Sequence, residues 1–115
     1  MTSAPDLALV TLGSNIRPEV NLPAAVELLA ARLPVECVSR VFETAPVGSA
    51  AQARYLNAAV RLWTDLPPLL LRDSVLRPIE AALGRVRTAD KYAARTIDLD
   101  LAVYGDLWLD DAKND

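Results

Sequence analysis

The sequence contains no histidine and a single cysteine, Cys37. Without histidine the commonest general base and transition-metal ligand is missing, which excludes His-based catalytic triads and zinc sites. One thiol cannot close a disulfide within the chain, so Cys37, in an apolar-leaning stretch, is expected to be a small core residue in a reducing compartment. No leader with a basic start and an apolar run is found, and no uninterrupted apolar segment approaches the length that spans a bilayer. These absences point to a soluble, cytoplasmic protein. The formal net charge of −3 argues against a nucleic-acid or membrane-surface binder, either of which needs a basic excess over a broad face. Internal repeats, low-complexity tracts and linkers are absent too. What remains is one domain, long enough to bury a core without disulfide or metal staples.

Strand and helix patterns alternate along the chain. Leu7 to Leu12 is a short apolar strand stopped by Gly13-Ser14-Asn15. Pro18 and Pro23 mark the start of a helix in which Leu22, Val26, Leu29 and Leu33 form one stripe, and Pro34 ends it. Val35 to Phe42 reads as a second strand, followed by the turn Thr44-Ala45-Pro46-Val47-Gly48. Tyr55 to Trp63 is a third, with Leu56, Ala58, Val60 and Leu62 on one face and Tyr55, Asn57, Ala59, Arg61 and Trp63 on the other. Asp65, Pro67 and Pro68 open a second helix carrying Leu71, Val75, Ile79 and Leu83, with Gly84 as its stop. Pro78 lies inside it and predicts a kink or an irregular turn. Ile97 to Tyr104 is the fourth strand, and Leu107 to Leu109 could begin a fifth. The order β-α-β-β-α-β predicts a ferredoxin-like α+β sandwich, an antiparallel sheet with both helices on one face and the other face open for function.

Charge is concentrated late in the chain. Residues 77 to 95 hold Arg77, Arg85, Arg87, Lys91 and Arg95 against only Glu80 and Asp90, a local excess of +3 in an acidic sequence. That segment runs directly into Ile97-Asp98-Leu99-Asp100-Leu101, whose period of two places both carboxylates on one sheet face and the apolar residues, Val103 included, on the other. Like charges that close repel unless a cation sits between them. Clustered cations beside paired acids suit a nucleotide polyphosphate carrying magnesium, since guanidinium and ammonium groups neutralise phosphate while Asp oxygens take a hard divalent ion. A solvated acidic strand face is the plainer reading of the D-x-D pair alone.

These residues carry a resemblance. Leu12-Gly13-Ser14-Asn15, Phe42-Glu43-Thr44-Ala45-Pro46-Val47-Gly48, Tyr55-Leu56-Asn57-Ala58, Ile79-Glu80, Gly84-Arg85-Val86-Arg87, Arg95-Thr96-Ile97-Asp98-Leu99-Asp100-Leu101 and Tyr104-Gly105 together resemble the 6-hydroxymethyl-7,8-dihydropterin pyrophosphokinase family of folate biosynthesis, in the same order. The resemblance implies transfer of pyrophosphate from ATP to the hydroxymethyl group of the reduced pterin, giving AMP and the pterin diphosphate. It further implies two magnesium ions held by Asp98 and Asp100, a pterin site at Thr44, Ala45 and Val47 with Asn57 reading the pterin edge and Tyr55 stacking on the ring, and a nucleotide site at Glu80, Arg87, Lys91, Tyr92, Arg95 and Leu101. Arg85 and Arg95 match residues of the catalytic loop. Glu80 as a plain helix-surface charge is the alternative for that position. Tyr92-Ala93-Ala94 stands where the family usually has Trp-Gly-Pro, and Arg77 where many members have Gln. Members also continue beyond the point where this sequence stops, Asp115, so a C-terminally short domain over residues 1–115 is expected. A non-catalytic nucleotide- or pterin-binding relative is the second functional class.

Overall fold

The computed structural model describes residues 4–44, 54–86 and 94–108. Along these run β1 (Asp6–Ser14), α1 (Pro18–Arg32), β2 (Val35–Val38), β3 (Phe42–Thr44), β4 (Tyr55–Thr64), α2 (Pro68–Leu71), a wide helical turn (Arg72–Leu76), α3 (Arg77–Ala82), β5 (Asp98–Tyr104) and β6 (Leu107–Trp108). The strands form one antiparallel sheet in the order β2-β4-β1-β5-β6, with β3 continuing the β2 side of β4. This is the expected α+β sandwich. Ala8, Val10 and Leu12 of β1, Val60 and Leu62 of β4, and Leu99 and Leu101 of β5 share one core with Leu22, Ala25 and Leu29 of α1 and Leu71, Val75, Leu76 and Ile79 of the second helical stretch. Both helices therefore cover one sheet face. No helix among the described residues is long and apolar enough to cross a membrane.

Pro78 has its expected effect one turn earlier. A proline cannot donate to the carbonyl four residues back, here Ser74, and its ring crowds that carbonyl. The backbone widens through Arg72–Leu76, where the Arg77 amide reaches back to the carbonyl of Arg72. The Ser74 carbonyl instead accepts a 2.9 Å hydrogen bond from the Arg32 guanidinium at the end of α1, so the defect in one helix becomes a tie to the other. The widened turn also brings the adjacent Val75 and Leu76 into the core together.

Three strand-level expectations are corrected. The single strand from Val35 to Phe42 divides in two because Ser39 intervenes: its Oγ accepts the Ala59 amide at 2.8 Å and donates to the Arg40 carbonyl, which interrupts the ladder. Cys37 is exposed rather than in the core, because β2 is an edge strand with an irregular register between Val35 and Cys37. Val103 does not share the core face with Leu101. Register against β1 shifts between Leu9 and Val10, so Ala102 is an extra residue, Val103 pairs with Leu9 on the open side, and Tyr104 opposes Ala8 and joins the core. The turn at Ala45–Gly48 and the residue Leu109 lie outside the described residues.

Leu76 is fully buried and Leu69 is 67% exposed, although both lie in the second helical stretch. Leu76→Ala is expected to lower unfolding stability by about 2–5 kcal/mol. Leu69→Ala should change it by no more than about 0.5 kcal/mol, with urea denaturation as the measurement.

Candidate active site

Glu80 organises one side of the site from within the core. Its side chain is 2% exposed, one helical turn after the buried Leu76. The Leu99 amide of β5 donates to its Oε2 at 2.8 Å, and Arg77 donates to both carboxylate oxygens at 3.1 Å and to the Leu99 carbonyl at 3.1 Å. α3 then ends in a left-handed glycine, Gly84 (φ 86°). The Gly84 amide bonds the Ala81 carbonyl at 3.1 Å, and the Arg85 amide bonds the Glu80 carbonyl at 2.9 Å, a Schellman turn. Gly84 tolerates that backbone because it has no Cβ. The turn delivers Arg85 back beside Glu80, 3.4 Å from Oε2. The helix-surface alternative for Glu80 is thereby corrected. Arg77, Glu80, Ala81 and Arg85 line a shallow depression of about 350 Å³.

From this anchor Arg85 reaches the sheet. Its guanidinium donates to the Ile97 carbonyl at 3.0 Å and to Asp98 Oδ1 at 2.8 Å, with only 6% of the side chain exposed. Arg95 donates to the other oxygen, Oδ2, at 3.0 Å. Asp98 thus stands between two guanidiniums, each a short charge-assisted bond. Two residues on, the half-buried Asp100 shares its sheet face, above Thr11 of β1. The backbone of Arg95 is itself clasped by the turn after β1, through Asn15 and Ile16.

The opposite side presents Tyr55 and Asn57 of β4 on the same open face. Phe42 of β3, Asn57 of β4, Gly13 of β1 and Asp98 of β5 stand in one cross-strand row. Asn57 Nδ2 donates to Thr44 Oγ1 at 2.8 Å, which leaves Oδ1 over Gly13. A Cβ on Gly13 would lie 3.1 Å from that oxygen and 3.6 Å from the Tyr55 ring, so the missing side chain keeps the floor between Asn57 and Asp98 open. Burial lifts the Tyr55 hydroxyl above the ordinary phenol range, with Arg95 and Arg85 pulling it down and Asp98 pushing it up. Tyr55 therefore stays neutral at physiological pH. One open-face surface carries an aromatic ring and an amide at one end and a carboxylate between two cations at the other.

Of the residues singled out from sequence, the structure brings together Thr44, Tyr55, Asn57, Arg85, Arg95, Asp98 and Asp100, with Glu80 beneath Arg85. Leu101 is 1% exposed and its side chain belongs to the core. Ala45, Val47, Arg87, Lys91 and Tyr92 lie outside the described residues. Sequence reasoning assigned no role at the site to Gly13 or Asn15. Their signal was the Gly-Ser-Asn stop directly after a strand whose neighbours carry the acidic and amide residues. No group of three or more His, Cys, Asp or Glu side chains that could hold a metal occurs among the described residues. Two carboxylates on one face suit magnesium, which takes one or two such groups and leaves the rest of its sphere to phosphates and water. Each carboxylate offers about four lone-pair sites, so pairing to arginine does not exhaust Asp98.

Comparison with known proteins agrees with this arrangement. The family model of 7,8-dihydro-6-hydroxymethylpterin-pyrophosphokinase matches residues 9–112. The chain is 41% identical over 102 residues to the 2-amino-4-hydroxy-6-hydroxymethyldihydropteridine pyrophosphokinase of Bacillus subtilis, covering 86% of this chain and 60% of the relative. It is 39% identical over 105 residues to that of Pseudomonas aeruginosa, covering 88% and 63%. Against the mitochondrial folate synthesis bifunctional protein of Arabidopsis thaliana it is 40% identical over 108 residues, covering 91% and 19%. The chain belongs to the 7,8-dihydro-6-hydroxymethylpterin-pyrophosphokinase family, and it spans about three fifths of the length of these bacterial relatives.

Breaking a buried ion pair from one side leaves an uncompensated charge and typically costs about 3–5 kcal/mol. Arg85 keeps Asp98 and Arg77 is partly solvated, so Glu80→Gln is expected near the lower end, about 3 kcal/mol. Chemical denaturation measures this, and Glu36→Gln, which breaks an exposed pair with Arg61, should cost no more than about 1 kcal/mol.

Proposed function

We propose that this chain transfers pyrophosphate from ATP to the hydroxymethyl group of 6-hydroxymethyl-7,8-dihydropterin, in the cytoplasm, as its family membership suggests. The observation that supports this most directly is the continuous row Asn57–Gly13–Asp98. It joins a surface suited to a flat heterocycle to a surface suited to phosphates. On one side, Tyr55 offers a neutral ring for stacking, and Asn57, oriented by Thr44, offers an amide to the edge of a pterin. On the other, Arg85 and Arg95 are within reach of phosphate oxygens as soon as a polyphosphate competes with Asp98 for them. Arg87, Lys91 and Tyr92 complete the nucleotide side in this reading, and Ala45 and Val47 complete the pterin side.

In the reaction, the hydroxymethyl oxygen bonds to the β-phosphorus as the bond from that phosphorus to the α–β bridging oxygen breaks. AMP leaves with the bridging oxygen, and the hydroxyl proton is lost. Transfers of this kind pass through a loose transition state, so the protein positions the reactants and offsets charge more than it supplies a nucleophile. Gly13 keeps the floor low where the acceptor lies. Glu80 holds Arg85 in place from below, and the core holds Glu80. Asp98 and Asp100 would hold two magnesium ions together with phosphate oxygens, and bound there the metal polarises those oxygens and offsets their charge.

Asp98→Asn and Asp100→Asn are each expected to cut magnesium-dependent AMP release by more than the about 10–100-fold that outer-sphere changes cause at metal sites, while circular dichroism shows the fold retained. Near-native release by either variant at limiting magnesium would remove that carboxylate from the metal site. Wild-type protein that binds ATP yet releases no AMP with the reduced pterin would be a binding module. Gly13→Ala is expected to weaken pterin binding at least about tenfold, equivalent to about 1.4 kcal/mol, with calorimetry as the measurement. Asn57 must shift to admit the new Cβ.

A further inference from the structure

We infer that Asn15 is a positioning residue for Arg95, fixing the main chain from which the guanidinium reaches Asp98. Asn15 lies in the turn between β1 and α1, 80 residues from Arg95, and is 6% exposed. Its Oδ1 accepts the Arg95 amide at 2.7 Å. In return the Arg95 carbonyl accepts the Asn15 amide at 3.1 Å and the Ile16 amide at 3.2 Å. Donor and acceptor of a single peptide residue are both held by one turn, which fixes the position and the rotation of that residue together.

The turn is itself tied. The Ile16 carbonyl accepts Ser14 Oγ at 3.1 Å and Asn21 Nδ2 at 2.6 Å, and Arg17 takes a left-handed backbone (φ 45°, ψ 53°) ahead of Pro18. Arg17 is the one non-glycine residue with positive φ among the described residues. A left-handed arginine is strained, and such conformations persist where surrounding contacts over-determine them. Arg95, by contrast, lies outside any strand, since β5 begins only at Asp98. The ladder does not hold Arg95, so the clasp does. An asparagine is suited to the task because a backbone amide needs an acceptor and the side-chain carbonyl oxygen supplies one.

This inference rests on the proposed function only where it concerns the nucleotide, and its test separates the two. In titrations with magnesium and α,β-methylene-ATP, Asn15→Ala is expected to weaken binding about tenfold, the lower range for outer-sphere partners. Asn15→Asp, which keeps an acceptor oxygen, should restore most of the loss. In an Arg95→Ala background, Asn15→Ala should add less than about twofold, because the side chain it positions is gone. An equal loss in both backgrounds would make Asn15 a general structural residue and overturn the inference. If Asn15→Ala does not fold, Asn15→Gln, which displaces the amide by one methylene, carries the same cycle. The guanidinium resonance of Arg95 in the ligand-free protein provides the second readout. Asn15→Ala should move it to the position of a solvated arginine, and an unmoved signal would overturn the positioning role. Should Arg95→Ala leave analogue binding unchanged, the nucleotide reading fails, and the resonance still decides the clasp.

Discussion

Glu80 is the constraint around which the cationic side of this molecule is built. A carboxylate removed from water costs several kcal/mol unless its oxygens are filled, and here they are filled by a strand amide, one arginine three residues ahead and another five residues behind. Each partner does a second job. The Leu99 amide ties the helix to β5, Arg77 reaches the Leu99 carbonyl, and Arg85 passes from Glu80 to Asp98. The charge is therefore a joint between the helical layer and the sheet, and one of its partners, Arg85, also holds Asp98. A hydrophobic residue of similar volume would pack there, yet it would leave Arg85 without the anchor that aims it.

The same economy governs the open face. Two helices cover one side of the sheet, so the other side is free to alternate amide, glycine and carboxylate in one row. Neutral and ionic chemistry are kept apart along that row by strand spacing alone, with β1 between them and Gly13 adding no side chain. Arg85 approaches from the end of α3, Arg95 from the segment before β5, and the amide from β4.

Much of this was legible in the sequence because it rests on periodicity. The alternation at Tyr55 to Trp63 and at Ile97 to Leu101 predicted both faces, and Gly84 predicted the stop that returns Arg85. Glu80 was harder to read. A glutamate on a helix is ordinarily a surface residue, and only the coincidence of its spacing from Leu76 with the flanking Arg77 and Arg85 signals burial. Side-chain intrusion into the ladder at Ser39, the extra residue at Ala102 and the clasp at Asn15 depend on which strands meet in space. Period-two patterns carry no such information, and a shift of one residue reverses every face beyond it. That is why Val103 and Tyr104 exchanged roles while Leu99 and Leu101 did not. Cys37 failed as a core residue for a related reason: apolar neighbours in sequence do not say whether a strand is central or at an edge.

β3 is three residues long, exposed throughout and, among the described residues, paired to one strand by Phe42–Asn57, Glu43–Leu56 and Thr44–Tyr55. Proteins open in local units whose free energies follow the contacts each unit would lose, and this unit would lose few. Thr44 nevertheless carries the hydroxyl that orients Asn57. Detachment of β3 would release that amide while leaving the central strands and the Glu80 joint intact. The orientation of Asn57 is thus only as firm as the three strand pairs behind it, and a molecule bridging Asn57 and Thr44 would hold that sheet edge shut.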